Sequence, residues 1–143
     1  MIKVRHIGIT VNDLTRMLEF YQLLLGFSQA AVNLESGLQI DNFSDLEGVQ
    51  VTTAKLSNGT DEVLIELLKY HSHDSRQLNR SGINDEGISH FALTVDDLEG
   101  LYSYLLASNI EFNSPPQTMP GGKAKVTFCK DPEGNLIELV EAL

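Results

Sequence analysis

Two stretches of this chain are near copies of each other, and that repetition limits the possible folds more than any other feature. "HIGITVNDL" at 6–14 and "HFALTVDDL" at 90–98 share His, Thr, Val, Asp and Leu in register. The tetrapeptide "LIEL" occurs at 64–67 and again at 136–139, each time with a glutamate inside an apolar run. A chain of 143 residues with two such pairs reads as a duplicated module. An isolated carboxylate costs several kcal/mol or more to bury, so both glutamates need a partner, a proton or a metal ion.

The segments between the repeats predict the rest of each module. Leu14, Met17, Leu18 and Tyr21 share one face of a helix that stops at Gly26. Leu98, Leu101, Tyr102 and Leu105 do the same in the second half, with Asp96 and Glu99 spaced like a capping box and Asn109 as the stop. The strands "VQVTTAKL" and "EVLIELLK" flank "SNGTD", a hairpin signal centred on Asn-Gly. "KAKVTFCK" and "NLIELVEA" flank the turn "DPEGN". The order is strand, helix, two or three strands, then the same again. This is an α+β domain over 1–143, with module one at about 1–70, a polar connector at about 71–85 and module two at about 86–143.

The two glutamates stand closer in sequence than the two histidines, which places extra chain in the first half, within "VNLESGLQIDNFSDLEG". A short helix is expected there around Gly37–Phe43. The segment "NSPPQTMPGGKAK" at 113–125 reads either as a shaped loop bordering a cavity or as a plain strand connection.

Composition narrows the partners. A net charge of −10, with 20 acidic residues against 10 scattered Lys and Arg, argues against nucleic acid and anionic membranes. No apolar run approaches the ~20 residues of a membrane span, and no signal-peptide pattern opens the chain. The single cysteine, Cys129, excludes an internal disulfide and fits a reducing cytoplasm, where it reads as a packed strand residue.

Strand alternation orients the polar residues. His6 shares a face with Val4, Gly8 and Thr10, and His90 with Ile88, Ala92 and Thr94. Glu66 lies beside Leu64 and Leu68, and Glu138 beside Leu136 and Val140. Each module thus sends one His and one Glu to the sheet face away from its helix, with Gly8 and Ala92 leaving space near the histidines. Two imidazoles and two carboxylates suit one divalent ion, with positions left for water or substrate. Zn, Ni, Co, Mn and Fe all fit that donor set. His71 and His73 lie in the polar connector and read as surface residues.

The duplicated His…Thr-Val-x-Asp-Leu start, "FYQLLLGF" and "DPEGNLIEL" resemble the vicinal oxygen chelate superfamily over nearly the whole chain. That group includes glyoxalase I, methylmalonyl-CoA epimerase, extradiol dioxygenases and fosfomycin- and bleomycin-resistance proteins. The resemblance implies tandem βαβββ modules whose curled mixed sheets surround a metal cavity, within a homodimer. It assigns the metal positions to His6, Glu66, His90 and Glu138, a set similar to glyoxalase I, with Glu138 as the catalytic base. A glyoxalase I arginine that helps hold glutathione is here Thr10, and an asparagine after the first ligand glutamate is replaced by a Lys69–Tyr70 neighbourhood, which speaks against glutathione. The implied activity is a lyase or isomerase. It removes a proton next to a carbonyl of a small oxygen-chelating substrate, with the metal stabilising the enediolate or enolate. The alternatives are a metal-dependent dioxygenase, a resistance-type transferase, or a ligand-binding member with a vestigial site.

Overall fold

The structure, a computed structural model, describes residues 1–60, 63–79 and 82–143. Asp61 and Glu62, in the expected first-half turn and strand start, lie outside the described residues, as do Arg80 and Ser81 of the connector. The chain divides into two compact units, Met1–Gln77 and Leu78–Leu143.

The first unit holds β1 (His6–Thr10), α1 (Leu14–Leu18), β2 (Ser28–Ser36), α2 (Leu38–Ser44), β3 (Gln50–Ser57) and β4 (Leu64–Tyr70). The second holds β5 (His90–Thr94), α3 (Leu98–Ala107), β6 (Gln117–Thr118), β7 (Ala124–Lys130) and β8 (Leu136–Ala142). The sheet orders are β1-β4-β3-β2 and β5-β8-β7-β6, open four-stranded sheets with the same connectivity. In each, the first strand runs parallel to the last and the other pairs are antiparallel. Each unit is therefore a βαβββ module, and the fold is α+β.

In the first unit the inward residues alternate as period two requires. Ile9, Ala54, Leu56, Ile65 and Leu67 are buried, and so is Val11 just after β1. All lie on the face opposite His6 and Glu66, and α1 packs against β4. α1 starts at Asp13, whose carboxylate accepts from the Arg16 N–H at 3.0 Å. After Leu18 it widens into a π-helical stretch, Glu19–Leu24, closed by the Leu25 N–H donating to the Phe20 carbonyl. The wider turn brings adjacent residues inward, so Met17, Phe20 and Tyr21 are buried where Leu14 and Leu18 are only half-buried. Phe20 and Tyr21 meet edge to face at 5.0 Å. Gly26, at φ 77°, ends the helix as expected, in a conformation that costs a side-chain residue strain.

The extra chain of the first unit forms most of β2 and all of α2. The short helix expected at Gly37–Phe43 is observed one residue later. The Asp41 carboxylate accepts from the Gly48 and Val49 N–H groups at 2.9 and 2.8 Å, tying α2 to β3. Those two backbone donors hold its pKa below the usual carboxylate value.

One local expectation is corrected. The α3 cap is Asp97, which accepts from the Gly100 N–H at 2.9 Å, not Asp96. The Leu98 N–H goes to Glu141 on β8 at 3.0 Å, and Glu99 pairs with Lys125. A strand carboxylate satisfies the helix end, so no local capping box forms. The hairpin expected around "SNGTD" is observed, with β3 and β4 antiparallel and Leu56 opposite Ile65. Segment 113–125 includes a small hairpin. β6 pairs with β7 and Met119–Ala124 closes a turn through the Met119 N–H and the Ala124 carbonyl at 2.8 Å.

The "DPEGN" turn forms as expected. Asp131 accepts from the Glu133 and Asn135 N–H groups, and Gly134 takes φ 88°. Cys129 sits just before it on the buried face of β7, fully enclosed. Burial, with the Asp131 charge behind it, raises the thiol pKa from 9.0 to about 12.

Two outcomes follow from this core. Leu67→Ala removes a fully buried side chain from the centre of β4 and should cost about 2–5 kcal/mol in urea unfolding. Cys129 should resist disulfide reagents in the native protein and react once the chain is denatured. Its protonated thiol stabilises the fold below the unfolded value of 9.0. That contribution is lost as pH climbs towards about 12, so the stability margin over Cys129→Ala should narrow across this window.

Candidate functional site

The parallel strand pairs bring His and Glu together in the same way in both units. β1 pairs with β4 so that Gly8 lies opposite Glu66 and His6 opposite Leu64. β5 pairs with β8 so that Ala92 lies opposite Glu138 and His90 opposite Leu136. In each case the imidazole reaches diagonally over the small residue to the carboxylate. His6 Nε2 is 3.1 Å from Glu66 Oε2, and His90 Nε2 is 3.3 Å from Glu138 Oε2.

These separations suit a shared cation. Two atoms each bound to one ion at about 2.0–2.2 Å, at angles between octahedral and tetrahedral, lie about 3 Å apart. Both separations are also within ion-pair distance of imidazole and carboxylate. Within each unit the described residues supply this pair and no group of three or more His, Cys, Asp or Glu. Each pair thus offers two donors, fewer than the three or four that a divalent site ordinarily takes from a protein.

Surroundings differ between the two pairs. Glu66 is buried, its side chain 11% exposed against 24% for Glu138. On β3, Lys55 lies opposite Glu66, and its Nζ is 3.7 Å from Glu66 Oε1. The matching position opposite Glu138 on β7 is Phe128, whose ring meets that of His90 edge to face at 5.1 Å. His90 Nδ1 is 2.8 Å from Ser89 Oγ, a contact that fixes the ring orientation. Sequence reading missed Lys55, Phe128 and Ser89. Lys55 and Phe128 are found only through the strand register that sets them opposite the glutamates, whereas Ser89 is the neighbour of His90 in sequence.

Other candidate residues take separate places. Thr10 lies on the His6 face, opposite Leu68. A methyl group at Gly8 would rest 3.4 Å from Leu68 Cδ1, so Leu68 already fills part of the room that glycine leaves. Tyr70 shares the Glu66 face at the far end of β4, and Lys69 points the other way. His71 Nε2 meets Thr52 Oγ1 and His73 Nδ1 meets Ser72 Oγ, both at 2.8 Å, so each connector histidine has a hydroxyl partner.

Residues 3–139 match the glyoxalase/bleomycin resistance protein/dioxygenase superfamily. The chain belongs to that superfamily. It is 26% identical over 142 residues to a probable lactoylglutathione lyase of Vibrio cholerae, covering 97% of this chain and 90% of that protein. It is 25% identical over 141 residues to a probable chloroplastic lactoylglutathione lyase of Arabidopsis thaliana, covering 97% of this chain but spanning only 35% of that relative. A glyoxalase family protein from Bacillus cereus superposes with a TM-score of 0.90 at 19% identity, over 100% of this chain and 95% of the other. The trypanothione-dependent glyoxalase I of Leishmania major superposes at 0.70 with 22% identity, over 99% and 87%. At these identities the structural matches establish the fold.

Proposed function

We infer that this chain is a metal-dependent lyase or isomerase of the glyoxalase type, acting on a small substrate that chelates through two oxygens. The observation that carries the reading is the pair of His–Glu contacts made in identical strand register, in a family whose named relatives here are lactoylglutathione lyases. His6, Glu66, His90 and Glu138 are the proposed ligands. The reading holds whether the four come from one chain or from two chains of a homodimer. A divalent ion so held would polarise a carbonyl oxygen and stabilise negative charge developing there.

The chain's own residues then divide the work. The two imidazoles offer Nε2, with His90 oriented through Ser89. Glu66, more buried and with a second contact to Lys55, is suited to remain in place as a ligand. Glu138, more exposed and facing Phe128 rather than a cation, is suited to take a proton from the carbon beside the carbonyl and return it. A dioxygenase of the two-His, one-Glu type would leave Glu66 unused, whereas here it makes the shorter of the two contacts. Thr10, on the His6 face in place of the glyoxalase I arginine, favours a substrate other than a glutathione conjugate.

The test begins with metal analysis of the purified protein, followed by assays on hemithioacetals and 2-methyl acyl-CoA esters in deuterated water. Glu138→Gln keeps an oxygen donor without basicity. It should retain metal while α-proton exchange falls by roughly 10²–10⁴-fold. Glu66→Gln should chiefly weaken metal binding, with activity partly recovered by added metal. Exchange at near the parent rate in metal-saturated Glu138→Gln would remove Glu138 as the base.

A further inference from the structure

The two units repeat each other closely around the histidines and glutamates, so a difference between them at the same register is informative. The position directly across the sheet from the glutamate is Lys55 in the first unit and Phe128 in the second. Lys55 is on the His6–Glu66 face, and its side chain is about one-third exposed. Glu66 therefore has both oxygens engaged: Oε2 with His6 and Oε1 with the Lys55 ammonium. Glu138 has Oε2 with His90 and an aromatic ring where the first unit has a cation.

We propose that Lys55 is a positioning residue that makes the two half-sites unequal. It holds Glu66 Oε1, so Glu66 offers a metal a single oxygen, Oε2, and keeps that orientation. Its charge also opposes a divalent cation at the same carboxylate, which lowers the affinity of the site. The inference rests on the metal reading above and adds to it a cause for the unequal roles of the two glutamates. Two effects act in the same direction when Lys55 is replaced by an uncharged residue. Glu66 becomes able to bind through both oxygens, and a like charge beside the metal disappears. A charge this exposed is screened by water, which limits the electrostatic part to about a tenfold change in Kd.

The experiment uses Co(II) as the probe, titrated into metal-free protein and followed by calorimetry and visible absorption. Lys55→Phe installs the residue that the second unit carries. It should bind Co(II) about tenfold more tightly and show the weaker, blue-shifted absorption of a higher-coordinate cobalt. Lys55→Met should behave in the same way and serves if the phenylalanine variant fails to fold. Lys55→Arg keeps the cation and should return both the affinity and the spectrum to those of the parent. If the parent binds Co(II) and Lys55→Phe and Lys55→Met match it in affinity and spectrum, the role of Lys55 is overturned while the metal reading stands. If the parent binds no Co(II), the metal reading fails and this proposal fails with it.

Discussion

The parallel pairing of the first and last strands of each unit is the constraint on which the rest of the arrangement depends. Because side chains alternate along a strand, a one-residue slip of β4 against β1 would turn Glu66 into the core and Ile65 out of it. Ile65 and Leu67, buried against the helix side, hold the register that keeps Glu66 facing His6. The same relation ties Ile137 and Leu139 to the position of Glu138. The apolar alternation is thus what places the polar pair.

This explains how a glutamate can occupy the centre of "LIEL" twice. Each strand is central in its sheet, between a parallel and an antiparallel neighbour, so its backbone is fully paired. Its glutamate faces away from the helix and across a glycine or alanine. Small residues at Gly8 and Ala92 let the imidazole approach diagonally, where a larger side chain would stand between them. The pair is therefore set by three features together: register, alternation and a small residue opposite the carboxylate.

Much of this was legible in the sequence because it depends on local periodicity and repetition. The βαβββ order, the faces of His6, Glu66, His90 and Glu138, and the stops at Gly26 and Asn109 all follow from patterns within a few residues. Asn109 takes φ 62°, the conformation that makes asparagine a helix terminator. What escaped depends on partners distant in sequence. Lys55 meets Glu66 only because the register of two antiparallel strands sets them opposite each other, one step from Leu56 and Ile65. Asp97 replaces Asp96 as the cap because Glu141, on the far strand, already takes the first helix N–H. Phe20 joins Tyr21 in the core where the helix widens into a π-helical stretch, which a period of 3.6 does not anticipate.

Duplication accounts for the fold and bears equally on the proposed chemistry. One module contributes one nitrogen and one carboxylate oxygen, a set too small to hold a divalent ion firmly or to neutralise it. A second copy doubles both the donors and the charge, which is what the proposed metal reading requires. Under that reading, two identical copies would give two glutamates with the same behaviour, whereas proton transfer calls for one carboxylate fixed and the other free to move. The copies differ at one cross-strand position, lysine in one and phenylalanine in the other, while the His–Glu pair and the sheet register are the same in both.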